Sequence, residues 1–214
     1  MNISILCSDP RHPVVAYLQA WAGRTVTGGH AVELVHDKGQ LSGGDILFLV
    51  SCAQMIRAEV RATYKATLVL HASDLPQGRG WSPHIWSVLR GATGFTVSLV
   101  EAAEPVDSGP IWLRADCVLE GHELLAEIEA KLFAAELSLM TEAVEKFYSL
   151  RPMPQTGAPG PYLPRRTPAD SRIDPAKTIA EQFDLLRVVD AQRFPAFFDH
   201  RGHRYVIKIE KAEP

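Results

Sequence analysis

Short apolar runs alternate along this chain with segments of helical periodicity, and that alternation constrains the fold more than any other feature. Residues 2–7, His30 to Val35, Asp45 to Val50 and Thr67 to Leu70 each read as a strand. Ser8-Asp9-Pro10 looks like a helix start, with Val14, Leu18 and Trp21 at helical spacing through Ala22, and Met55 to Thr63 reads as a second helix. Apolar strands separated by helices imply an α/β fold, a mostly parallel twisted sheet with helices on both faces. Further on, Pro83 to Leu89 reads as a helix, and Phe95 to Val100 and Ile111 to Val118 as strands. Residues 121–149 read as the longest helix, with Leu124, Ile128, Leu132, Ala135 and Leu139 on one side. Six prolines and three arginines in 151–168 give a linker composition. A helix from Asp174-Pro175 to Val189 and a hairpin from Pro195 to Lys211, turning at His200-Arg201-Gly202-His203, follow. The expected division is a main unit over 1–150 and a small helix and β-hairpin extension over 151–214.

Composition narrows the function. Hydrophobic residues are 46% and charged residues 22% of the 214, the balance of a chain with a real core. The net charge of −3 argues against a general basic surface for nucleic acid. Three scattered cysteines without a CxxC give neither a disulfide framework nor a zinc site, so no metal is expected and a reducing compartment is. No apolar run is long enough to span a membrane, and the start lacks a basic signal segment, so the chain is expected in the cytoplasm without a membrane partner. One further count matters: the chain holds a single asparagine, Asn2.

Two segments could carry chemistry. His71 begins His71-Ala72-Ser73-Asp74-Leu75-Pro76-Gln77-Gly78-Arg79-Gly80-Trp81-Ser82-Pro83, which follows a strand and precedes a helix. Ligands of open parallel sheets bind at the carboxyl ends of strands. Glu104-Pro105-Val106-Asp107-Ser108-Gly109-Pro110 is a tight polar loop between two strands. An Asp and a His on such loops make an acid–base pair. Each segment also has a plain structural reading: the histidine bonded to backbone, and Asp-Ser-Gly as a turn.

Together the segments resemble folate-dependent formyltransferases. The string His71-Ala72-Ser73-x-Leu75-Pro76-x-x-Arg79-Gly80-x-x-Pro83-x-x-Trp86 is similar to the family's signature loop, and Val106-Asp107-Ser108-Gly109 to its Asp-x-Gly loop, with Asp107 36 residues after His71. The resemblance covers 1–150 and implies the family's variant of the Rossmann fold there. The tail, with Arg165-Arg166-Thr167-Pro168 and Phe194-Pro195-Ala196-Phe197-Phe198, resembles the extension of sugar N-formyltransferases of pseudaminic- or legionaminic-type pathways. The implied reaction is transfer of a formyl group from N10-formyltetrahydrofolate to the amine of a nucleotide-linked amino sugar, the 4-amino-4,6-dideoxy type favoured, in surface polysaccharide biosynthesis. His71 would sit beside the oxyanion, polarising the carbonyl or relaying a proton, and Asp107 would orient it. Cys52, Met55, Ile56, Ala103, Glu104, Val106 and Asp107 map onto the pteridine site. Arg11, His12, Ser73, Arg79, Gly80 and Trp81 are the acceptor candidates, with Arg165 and Arg166 as further diphosphate candidates. Met55 and Ile56 could equally be the core face of a helix, and Glu104 a solvated carboxylate. His84 and Trp86 read as packing, and the late phenylalanines as core or as the surface of a homodimer.

One departure is local. Family members carry an asparagine two residues before the histidine as an oxyanion donor; here that position is Val69, and Asn2 cannot replace it. Either His71 and backbone N–H groups hold the oxyanion with help from Ser73, Ser51 or Gln54, or the enzyme is slow, or the protein is a non-catalytic relative that binds folate and nucleotide sugar. The methionyl-tRNA enzyme is set lower because only 64 residues follow position 150 and the net charge is negative. The glycinamide ribonucleotide enzyme is set lower because Cys7-Ser8-Asp9-Pro10-Arg11 lacks its glycine-rich phosphate loop.

Overall fold

The structure, a computed structural model, describes residues 1–212. Its centre is a six-stranded sheet in the order β2-β1-β3-β4-β5-β6. Strands β1 (Asn2–Leu6), β2 (Ala31–Val35), β3 (Gly44–Leu49) and β4 (Tyr64–His71) are parallel; β5 (Gly94–Glu101) and β6 (Ile111–Val118) continue the sheet antiparallel. Strands buried on both faces need side chains apolar on both faces, which is why β1 and β3 read as continuous apolar runs. Ile3, Ile5, Ile46, Phe48, Leu68, Leu70, Val97 and Leu99 meet helices α1 (Val14–Thr27), α3 (Pro83–Leu89) and α4 (Leu125–Glu145) in one core. On the other face, Leu6, Leu47, Leu49 and Tyr64 pack with the short α2 (Ala58–Arg61) and loops. The hairpin β7 (Ala196–His200) and β8 (His203–Ile207) turns where expected.

Four local expectations are corrected. Helix α1 begins at Val14 rather than at Ser8-Asp9-Pro10 and runs on to Thr27. Asp9 instead closes a turn, accepting from the Arg11 N–H at 2.9 Å. The helix expected over Met55–Thr63 is only Ala58–Arg61, because loop 51–56 is pinned in another shape. There the Gln54 amide donates to the His36 carbonyl at 3.0 Å, and the Arg61 guanidinium to the Ile56 carbonyl at 3.0 Å. The helix expected from Asp174 to Val189 is a 3-10 turn over Ala180–Gln182 and a short α5 (Phe183–Arg187). Gln182 accepts from the Asp174 N–H at 2.6 Å and donates to its carbonyl at 3.0 Å, drawing that backbone away from a helical ladder. Last, 151–168 is a strap rather than a linker. Met153 exchanges both backbone hydrogen bonds with Ile111, and Leu163 bonds backbone to backbone with Arg79 and Trp81.

Helix α4 closes the site from one side. Its buried stripe is Ile128, Leu132, Phe133, Glu136, Leu139, Met140, Ala143 and Val144, a helical face interrupted by one carboxyl group. The Glu127 carboxylate caps its start, accepting from the Leu124 N–H at 2.8 Å.

Candidate active site

His71 is the last residue of β4, so the sheet delivers its side chain to the carboxyl edge of the parallel strands. It is 7% exposed. Its Nε2 lies 2.9 Å from the Gly78 carbonyl. A carbonyl only accepts, so Nε2 carries the hydrogen and the neutral ring holds its lone pair at Nδ1. Nδ1 stands 3.7 Å from Asp107 Oδ1, too far for a hydrogen bond. A proton gained at Nδ1 would leave an imidazolium between a carbonyl and a carboxylate.

Asp107 comes from the loop after β5. That strand ends opposite the middle of β4, where the Ala102 N–H donates to the Thr67 carbonyl at 2.8 Å, and the loop folds back to reach His71. The path is tight. Asp107 takes a left-handed φ of +60°, and a Cβ on Gly109 would fall 1.9 Å from the Glu101 carbonyl oxygen, so only glycine fits. Asp107 Oδ2 accepts from the Gly80 N–H at 3.1 Å, tying the two loops together. Gly80 is itself required: a Cβ there would meet the Leu163 carbonyl at 2.4 Å.

His71 and Asp107 border a cavity of about 600 Å³. Of the residues expected at the pteridine, Cys52, Met55, Ile56, Ala103, Val106 and Asp107 line it, while Glu104 does not. Met55 is 56% exposed in a loop, not on a helix face, and Glu104 pairs with Arg61 at 3.3 Å. Of the acceptor candidates, His12, Gly80, Trp81, Arg165 and Arg166 line the cavity. Arg11 points outward, 91% exposed beside Asp9 at 3.6 Å. Ser73 is buried with its hydroxyl donating to the Gln77 carbonyl at 2.8 Å, and Arg79 contributes its backbone carbonyl to the strap, accepting from the Leu163 N–H at 2.7 Å. Neither Ser73 nor Arg79 reaches the cavity. Val69, two residues before His71, presents an apolar wall to it. Trp86 packs against the strap, donating to the Pro164 carbonyl at 3.2 Å. Phe194 lines the cavity, whereas Phe197 stacks under Arg204 in the hairpin.

The sequence reading missed Glu129, Glu136, Tyr162, Asp190 and Arg193, all of which line the same cavity. His84, read there as packing, lines it too. Burial pushes the Glu136 carboxyl up to about 8, and burial, aided by the charges of His71 and His12, pulls His84 down to about 4. Burial raises Glu129 against the opposing pull of Arg193, and raises the Tyr162 phenol with help from the Asp107 charge. His84 Nδ1, Glu136 Oε2 and Arg166 Nε are buried without hydrogen-bond partners, and all three residues face the cavity. Together with Glu129, Asp190 and Arg193 they make the lining polar as well as apolar. The one sequence signal was a Glu at a core position of an apolar helical stripe. Among the described residues no group of three or more His, Cys, Asp or Glu could hold a metal, and no helix is long and apolar enough to cross a membrane.

Comparison with known proteins places this geometry. Residues 13–144 match the family model described as Formyl transferase. The methionyl-tRNA formyltransferase of Deinococcus radiodurans is 26% identical over 146 residues, 66% of this chain and 46% of that protein. The chain thus spans less than half the length of that relative. A methionyl-tRNA formyltransferase structure from Clostridium thermocellum superposes with a TM-score of 0.84 at 20% identity, over 100% of this chain and 94% of that one. A 4-N formyltransferase structure from Francisella tularensis superposes with a TM-score of 0.78 at 16% identity, over 100% and 98%. At such identities the superpositions establish a common fold.

Proposed function

The chain belongs to the formyl transferase family, and from that premise we propose that it moves a formyl group from N10-formyltetrahydrofolate to the amine of a nucleotide-linked amino sugar, a 4-amino-4,6-dideoxy sugar being favoured. The observation that carries the transfer is the His71–Asp107 pair bordering one cavity. The donor would lie against the loop with Cys52, Met55 and Ile56 together with Ala103 and Val106, a mostly apolar wall suited to a flat ring. His84, Glu136 and Arg166 bring polar side chains to the same lining, suited to the hydroxyls of a sugar. Arg165, Arg166 and Arg193 supply positive charge for a diphosphate, and Trp81, under the Arg165 guanidinium at 5.0 Å, offers a face to a base.

In this reading the neutral amine attacks the formyl carbon, a C–N bond forms, and the bond to the folate nitrogen breaks. The amine's proton passes to His71 Nδ1, and the Asp107 carboxylate stabilises the imidazolium before the proton goes on to the leaving nitrogen. The Gly80 N–H holds the Asp107 side chain in place. With Val69 in place of an amide, side-chain help for the oxyanion falls to His71 and Ser51, both of which line the cavity. Ser73 and Gln54 already spend their side chains on the chain itself.

The matches to methionyl-tRNA formyltransferases favour a second reading, in which methionyl-tRNA is the acceptor. One assay separates the two. Purified protein is given N10-formyltetrahydrofolate with a panel of nucleotide-linked 4-amino sugars or with methionyl-tRNA, and folate release is followed. Turnover with a sugar and none with methionyl-tRNA supports the proposal, and the reverse overturns it. His71→Ala should lower turnover by about 10²- to 10⁴-fold; full activity in that variant would sink the assignment of the site.

A further inference from the structure

Loop 102–110 must hold Asp107 against a strained backbone, and its own residues do little to hold it. The Ser108 hydroxyl donates to the Pro105 carbonyl at 2.5 Å, but the carbonyls of Asp107 and Gly109 find no donor within the loop. Both are met from outside. Gln155 Nε2 donates to the Asp107 carbonyl at 2.8 Å and to the Gly109 carbonyl at 2.9 Å. Two carbonyl acceptors require the amide nitrogen, not the amide oxygen, at that point. A single atom with two hydrogens thus clamps both ends of the Asp107–Gly109 turn.

The strap delivers that atom. Met153 and Ile111 exchange backbone hydrogen bonds at 2.8 and 2.9 Å, fixing the chain two residues before Gln155. Ten residues later Leu163 bonds with Arg79 and Trp81, around the Gly80 N–H that Asp107 holds. Both bonds that the Gln155 side chain makes are donated by its nitrogen.

We infer that Gln155 is a positioning residue for the reaction: its amide fixes the turn that aims Asp107 at His71 and at the Gly80 N–H. It touches no substrate and acts only through Asp107. The rate consequence rests on the formyl-transfer reading; the geometric consequence does not. Gln155→Met keeps the side chain's length and removes both donors.

The test reads turnover and amide exchange together, in the wild type, Gln155→Met, Asp107→Ala and the double variant. A misplacement of about 1 Å costs on the order of 10² in rate. Gln155→Met should therefore lower kcat about 10- to 100-fold and change KM for either substrate less than about threefold. In the Asp107→Ala background it should cost nothing more, because its only route is already gone. The Gly80 amide should exchange faster in both single variants, while core amides such as that of Val97 keep their protection. A Gln155→Met enzyme within about twofold of wild-type kcat overturns the inference. So does an equal further loss in the Asp107→Ala background, or unchanged Gly80 exchange. If the wild type transfers no formyl group at all, the functional reading fails, and Gly80 exchange still decides whether Gln155 positions Asp107.

Discussion

Glu136 offers a direct test of how the cavity is built. It is 4% exposed, sits in the apolar stripe of α4, and its Oε2 has no partner. Burial raises its carboxyl from the ordinary 4.5 to about 8. Between those values the folded protein keeps a proton that the unfolded chain has lost, so stability falls as pH rises. Each pH unit costs about 1.4 kcal/mol, which comes to roughly 3 kcal/mol at pH 7 and roughly 5 kcal/mol once pH passes the folded value. Below pH 4.5 the full stability is present. Glu136→Gln cannot ionise and resembles the protonated carboxyl in shape. Thermal melts of both proteins at intervals from pH 4.5 to pH 8 should coincide at the acid end. They should then diverge until the variant melts about 6–12 °C higher near neutrality, at about 2–4 °C per kcal/mol for a chain this size. The neighbouring Cys7 and Cys117 thiols, raised by burial to about 11, stay neutral throughout, and every group common to both proteins cancels in the difference. Parallel curves across the whole range would refute the claim that Glu136 is buried uncharged.

Other consequences are equally open to measurement. His71→Ala and Asp107→Asn should each lower formyl transfer by about 10²- to 10⁴-fold, whereas Val69→Ala should stay within about threefold; steady-state kinetics decide. Gly109→Ala forces a Cβ onto the Glu101 carbonyl, so it should cost at least about 10² in kcat, and wild-type turnover would show that the turn adapts. Iodoacetamide at pH 8 should leave Cys7 and Cys117 unmodified in the native protein, and mass spectrometry finding either alkylated at the rate of a free thiol would contradict their burial.

Much of the sheet was legible because buried strands betray themselves. Ile3-Ser4-Ile5-Leu6 and Ile46-Leu47-Phe48-Leu49 have too few polar residues for an exposed strand. The proposed pair, His71 and Asp107, came from the resemblance of two motifs at a fixed separation, and the structure sets the two side chains 3.7 Å apart. Other parts hid. Met55 and Ile56 read as the start of a helix because the bonds that hold loop 51–56 reach partners outside it, Gln54 to His36 and Ile56 to Arg61. Glu136 passed unnoticed because periodicity averages over a stripe and does not register one polar member. Ser73 and Arg11 looked like ligands by residue type, and only their partners show one spent on the Gln77 carbonyl and the other turned to solvent.

The deepest division runs through residues 151–168. Composition determined that this stretch carries no regular ladder, because six prolines remove donors and fix φ. Composition could not say where the chain goes. Only the tertiary structure returns it over both loops of the site, setting Gln155 under Asp107 and Leu163 against Gly80. The reason is physical. Local pattern reports which residues prefer burial or a given backbone geometry. A hydrogen bond between residues 48 positions apart depends on where the rest of the fold has placed them.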